Sequence, residues 1–158
     1  MTASVILLTE QALSASDAER LTSLHAEDAP SYRVLVPADT RRSLIADVLD
    51  HLSLLELREA LEAARGREDG DRLEADHTLH ASLTQLAAIG ATVDGAVVHG
   101  DPVLALEREL ADRPADEVVV ISRPHAVEDT FHTDWASRAR KRLGVPVLHV
   151  YAGSSWLG

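Results

Sequence analysis

The side chains best suited to chemistry crowd into one polar stretch, His125-Ala126-Val127-Glu128-Asp129-Thr130-Phe131-His132-Thr133-Asp134. Imidazole and carboxylate groups ligate zinc or manganese, so His125, Asp129 and His132 form a candidate metal set. Their spacing matches no closed metal motif. An acidic loop in which Thr133 or Asp134 caps the next helix explains the same residues. Ser122, His125 and Asp129 also supply the residue types of a nucleophile, its base and an orienting acid. A metal-assisted hydrolase using the loop from His125 to Asp134 is therefore the catalytic reading, although no Gly-x-Ser-x-Gly elbow surrounds Ser122. His77 and His80 share one face of an expected helix without an evident third ligand. His99 follows an apolar run and precedes Gly100, a position that can line a crevice. His149 alternates with apolar residues, as a satisfied or interfacial histidine would.

The elements that must position these groups are legible as apolar runs and caps. Val5-Ile6-Leu7-Leu8, Tyr32-Arg33-Val34-Leu35-Val36, a segment within Thr92 to His99, Glu117 to Ser122, and Pro146 to Tyr151 read as buried strands. Ser16-Asp17-Ala18-Glu19 has the form of a capping box, followed by Ala18, Leu21 and Leu24 as an apolar stripe. Helical spacing runs from Thr40 to Gly66, and Ser53 marks a second cap or a kink. The polar stretch Arg65 to Arg72, with Gly66 and Gly70, reads as a mobile loop. Leu79, Leu83 and Leu86 stripe a further helix that Gly90 ends. Asp101 is the expected N-cap of the next helix, with Pro102 at its first position. The cluster Arg138-Ala139-Arg140-Lys141-Arg142 reads as the solvated C-terminal part of the last helix. Strands alternating with helices in this way imply a parallel sheet covered on both faces.

Gly100-Asp101-Pro102 after one strand, the apolar run Val118 to Ser122, and the final Val145 to Tyr151 resemble the universal stress protein family in order and spacing. The resemblance covers essentially the whole chain and is specific from about Gly90 onward. It implies an α/β domain over residues 1–158, with five parallel strands in the order 3-2-1-4-5 and a nucleotide crevice at their carboxyl ends. In that family a loop of Gly, two residues, Gly, nine residues, Gly and Ser or Thr wraps the phosphates of ATP. Placed without gaps, those positions here are Ser122, His125, Trp135 and Ala136; a slide of one residue brings Ala136 and Ser137 to the last pair. Glycine gives positive φ and lets backbone N–H groups approach a phosphate closely, so this loop has lost its cradle. Arg123 still offers a guanidinium. Glu10 stands where the family places an acid near the ribose, and the loop after the second strand, around Val36-Pro37, would face the base. The resulting expectation is a binding crevice formed by Glu10, Val36, Asp39, His99, Ser122, Arg123, His125 and Ser137. ATP is not expected to bind there in the usual way, and no cofactor is expected.

Composition bounds what remains. With 46% hydrophobic residues, 158 residues suffice for one domain with a full core. A formal net charge of −11 opposes binding to a phosphate backbone, so nucleic acid is not an expected partner. Without cysteine, disulfide and thiolate chemistry are excluded. No run approaches the roughly 18 apolar residues of a membrane span, and Met1-Thr2-Ala3-Ser4 lacks a signal-peptide layout, so a cytoplasmic location is expected. The last strand would lie at an edge of the sheet, where Val145, Val147, Leu148, His149 and Val150 invite antiparallel pairing with a second copy. Members of the resembling family often dimerise this way. A stress-type regulatory or ligand-binding protein is the reading these features favour, with the hydrolase as the alternative.

Overall fold

A computed structural model describes residues 3–38, 54–122 and 137–153, with side chains in the helical stretch described only from residue 69 onward. The strands are β1 (Ser4–Thr9), β2 (Ser31–Pro37), β3 (Thr92–Val98), β4 (Glu117–Ser122) and β5 (Val147–Tyr151). The helices are α1 (Ala15–Leu24), α2 (Leu54–Ala88), α3 (Pro102–Asp112) and α4, described over residues 137–142. All strand pairs are parallel, and the sheet order is β3-β2-β1-β4-β5. The expected topology is therefore present.

Side chains alternate between the faces of a strand, and here both faces are covered, so the middles of β1 and β4 are apolar at consecutive positions. Val5, Leu7, Val34, Val36, Val119 and Ile121 pack towards Ala18 and Leu21 of α1 and Ala75 and Leu86 of α2. Ile6, Leu8, Leu35, Val118 and Val120 pack the other way, against Leu106 of α3 and Ala139 of α4. The unbroken Val118-Val119-Val120-Ile121 run thus reflects a strand buried on two sides, and β-branched side chains suit that setting.

Three local expectations need correction. The cap of α1 is Ser14 rather than Ser16. The Ser14 hydroxyl accepts from the Asp17 N–H at 3.2 Å, and the Asp17 carboxylate accepts from the Ser14 N–H at 3.0 Å. Asp17 outcompetes Glu19 because its carboxylate also serves contacts far along the chain, described below. In the second case, Arg65 to Arg72 is helical rather than a loop, for α2 passes through Gly66 and Gly70. Each glycine costs about 1 kcal/mol relative to alanine, but the surrounding Leu, Ala, Glu and Arg are strong helix formers. The second half of α2 is also anchored to the sheet by Ala75, Thr78, Ser82 and Leu86, all buried. Its end is as expected. Gly90 has φ 84°, its N–H bonds to the Ala87 carbonyl at 3.0 Å, and the Ala91 N–H bonds to that of Leu86 at 3.1 Å. That pair of bonds closes the helix as a Schellman motif. Leu24 of the expected α1 stripe is 48% exposed, since the stripe ends one turn earlier at Leu21.

Candidate functional site

The chain lays down β1, β2 and β3 towards one edge, then returns to place β4 and β5 on the other side of β1. The order reverses at β1 and β4, and open α/β sheets take ligands outside the carboxyl ends of the strands at such a switch point. Register sets what arrives there. Thr9 pairs with Ile121, Ser122 with Tyr151, and Pro37 with Val98, so Glu10, Ser122, Ala38 and His99 all emerge at one end of the sheet.

Each rim segment is shaped by side chain to backbone bonds. The buried Thr9 hydroxyl donates to the Gln11 carbonyl at 2.8 Å and receives its N–H at 3.3 Å, folding the chain sharply after β1. Glu10 sits half-buried on that fold. The loop beyond is fixed to α2 by the buried Ser82 hydroxyl, which accepts from the Leu13 N–H at 3.1 Å. Val36 is only 2% exposed and its backbone lies within the β2–β3 ladder, so this expected rim residue is core and offers a ligand no surface. His99 is exposed, and Gly100 turns the chain at φ 79° into α3. Asp101 then caps that helix as expected, one carboxylate oxygen accepting from the Val103 N–H at 2.8 Å and the Leu104 N–H at 3.3 Å.

The other oxygen of Asp101 receives a guanidinium N–H of Arg138 at 2.8 Å. This bond straps α4 to the start of α3; Ser137, which precedes Arg138, is half-buried. Partial burial works to raise the Asp101 pKa, but the Arg138 hydrogen bond and charge and the two helix N–H groups outweigh it, leaving the carboxyl below its usual value. Arg142 pairs with Glu107 at 2.9 Å further along the same two helices. The expected solvated arginine face thus holds intramolecular contacts from Arg138, Arg140 and Arg142. Nothing in the spacing of Arg138 identified Asp101 as its partner.

Ser122 is placed at the mouth of the crevice, yet its side chain turns back into the protein. Its hydroxyl lies 2.6 Å from Nε2 of His149, and both residues are buried. His149 leans on Tyr151, with ring centroids 4.8 Å apart. The pair is a nucleophile and base in residue type, but at 1% exposure Ser122 presents no surface to a substrate. His149 is thus a satisfied histidine within its own subunit. Val147 and Val150 are buried too, while Val145 and Leu148 are half-buried. Asp39, Arg123, His125, Asp129, His132, Trp135, Ala136 and Trp156 lie outside the described residues. Among the described residues no cluster of metal-ligating side chains occurs, and no helix is long and apolar enough to cross a membrane.

No protein-family model and no curated protein matches the sequence. Solved structures do. A hypothetical protein whose biochemical function was assigned from its structure, in a test case of structural genomics, superposes with TM-score 0.60 at 17% identity, over 98% of this chain and 99% of that one. A universal stress protein from Archaeoglobus fulgidus in complex with dAMP gives 0.57 at 14% identity, over 94% and 98%. A universal stress protein family protein from Arabidopsis thaliana with AMP bound gives 0.54 at 13% identity, over 96% and 93%. The chain has the universal stress protein fold.

Proposed function

We propose that this chain is a divergent universal stress protein that binds a small ligand, with adenine nucleoside monophosphates the first candidates, and acts without catalysis. The observation that carries this reading is the crevice frame. Glu10 on the tight fold after β1, the exposed His99 and the Gly100-Asp101-Pro102 turn meet at the carboxyl end of a sheet whose fold holds dAMP and AMP in other proteins. Asp39, Arg123, His125 and Ser137 complete the proposed rim. The missing loop glycines and the acidic chain both disfavour a triphosphate, so ATP would bind weakly. A monophosphate asks less of that loop.

The test is a thermal-shift screen of nucleotides and divalent metals, read beside elemental analysis of the purified protein. Stabilisation by AMP or dAMP that Glu10→Ala removes would support the reading. Stoichiometric zinc or manganese with no nucleotide response would favour the hydrolase, with His125, Asp129 and His132 as ligands. Assembly belongs to the same reading. We propose a homodimer in which a second copy pairs antiparallel with the β5 edge, bringing Val145, Val147, Leu148, His149 and Val150 to the two-fold contact.

A further inference from the structure

The β5 edge has a feature that bears on any such pairing. The Val118 N–H bonds to the Pro146 carbonyl at 2.9 Å, and the Ala152 N–H bonds to that of Ser122 at 2.8 Å. In a parallel ladder this fixes the even-numbered residues of β5 as those whose backbone groups face β4. Val147, His149 and Tyr151 therefore turn their N–H and C=O groups outward, where a further strand would add. Two of those outward carbonyls are taken. Arg140 Nε of α4 donates to the Val147 carbonyl at 3.1 Å, and a terminal guanidinium nitrogen of Arg20 on α1 donates to that of Tyr151 at 3.1 Å. The two arginines come from helices on opposite faces of the sheet and reach round to bracket its edge.

We infer that Arg20 and Arg140 gate strand pairing at β5, so that a second copy can add only when their guanidinium groups leave the edge. A two-fold antiparallel pairing centred on His149 sets Val147 of one protomer opposite Tyr151 of the other. The N–H groups arriving at those positions need the two carbonyls that the arginines hold. Only the His149 to His149 exchange avoids them. Charge adds to the competition, because two protomers would bring four guanidinium groups to one seam. The arginines are not equally free to leave. Arg20 is tied to Asp17 by an ion pair of 2.9 Å, whereas Arg140 is an exposed residue. Arg140 is therefore the looser half of the gate.

This inference rests on the pairing proposed above, and one experiment separates them. Sedimentation equilibrium of the full chain, its Arg140→Ala variant and the Arg20→Ala/Arg140→Ala variant gives the monomer–dimer midpoint of each. Amide hydrogen exchange at Val147, His149 and Tyr151 locates the contact. The gate predicts weak pairing of the unmodified chain and a midpoint about tenfold lower or more for Arg140→Ala, with new protection at His149 and Tyr151. Arg140→Ala spares the Asp17 pair, so it serves as the folded test if the double variant unfolds. Equal midpoints for the unmodified chain and Arg140→Ala, with the β5 amides protected in both, would overturn the gate and leave the pairing standing. Monomers throughout, up to about 1 mM, would overturn the pairing and the gate with it.

Discussion

Asp17 shows how one side chain can serve several elements. It is 2% exposed, and its carboxylate receives the N–H and hydroxyl of Ser14, the Arg20 guanidinium, and the Gly153 N–H at 2.9 Å from beyond β5. Burial alone would raise its pKa, yet the Gly153 and Ser14 bonds and the Arg20 charge together hold it below the usual value. A carboxyl depressed by folding stabilises above its unfolded pKa and loses that contribution as pH falls through the folded one. Stability should therefore decline below about pH 4. Asp17→Asn should flatten that decline and cost about 1–3 kcal/mol at pH 7, measured by urea denaturation across pH. Ser122→Ala makes a second test at this scale, because it leaves the buried His149 Nε2 without its 2.6 Å partner. About 1–3 kcal/mol of stability should be lost, whatever ligand is present. The sequence signalled neither role fully. Ser14-x-x-Asp17 and Ser16-x-x-Glu19 are equivalent patterns locally, and only the distant Gly153 contact distinguishes them.

At the scale of elements, α2 is the instructive case. Gly66, Gly70 and a run of charges carry the marks of a loop, and the helix persists because half of it is packed on the sheet. Gly70 has open space where a Cβ would go. Gly70→Ala should therefore stabilise the protein by about 0.5–1 kcal/mol, read as a rise in the denaturation midpoint; a drop would contradict a continuous helix. Gly95 on β3 behaves oppositely. A Cβ there would lie 2.4 Å from the Val34 carbonyl oxygen and 2.7 Å from Leu79 of α2. Backbone cannot yield as a side-chain tip can, so Gly95→Ala should cost about 1–3 kcal/mol. The strands, the Asp101 cap and the Gly90 stop were legible because each depends on neighbouring residues. The Asp101–Arg138 strap and the arginines bracketing β5 were not, because they join residues that only the sheet order brings together.

At the scale of the whole molecule, the proposed crevice lies on a fold shared with proteins that hold dAMP and AMP. In the gap-free placement the resemblance implies, Ser122 takes the position of a loop glycine, and its hydroxyl is committed to His149. Charge favours the same conclusion, since an acidic protein of net charge −11 repels a triphosphate more than a monophosphate. The crevice should therefore rank ligands in the reverse of the order expected for a phosphate-wrapping loop. Isothermal titration calorimetry of the full chain with AMP, and separately with ATP and magnesium, tests this most directly. Saturable AMP binding, with ATP at least about tenfold weaker, is the predicted result. Low-micromolar ATP binding tighter than that of AMP would contradict it.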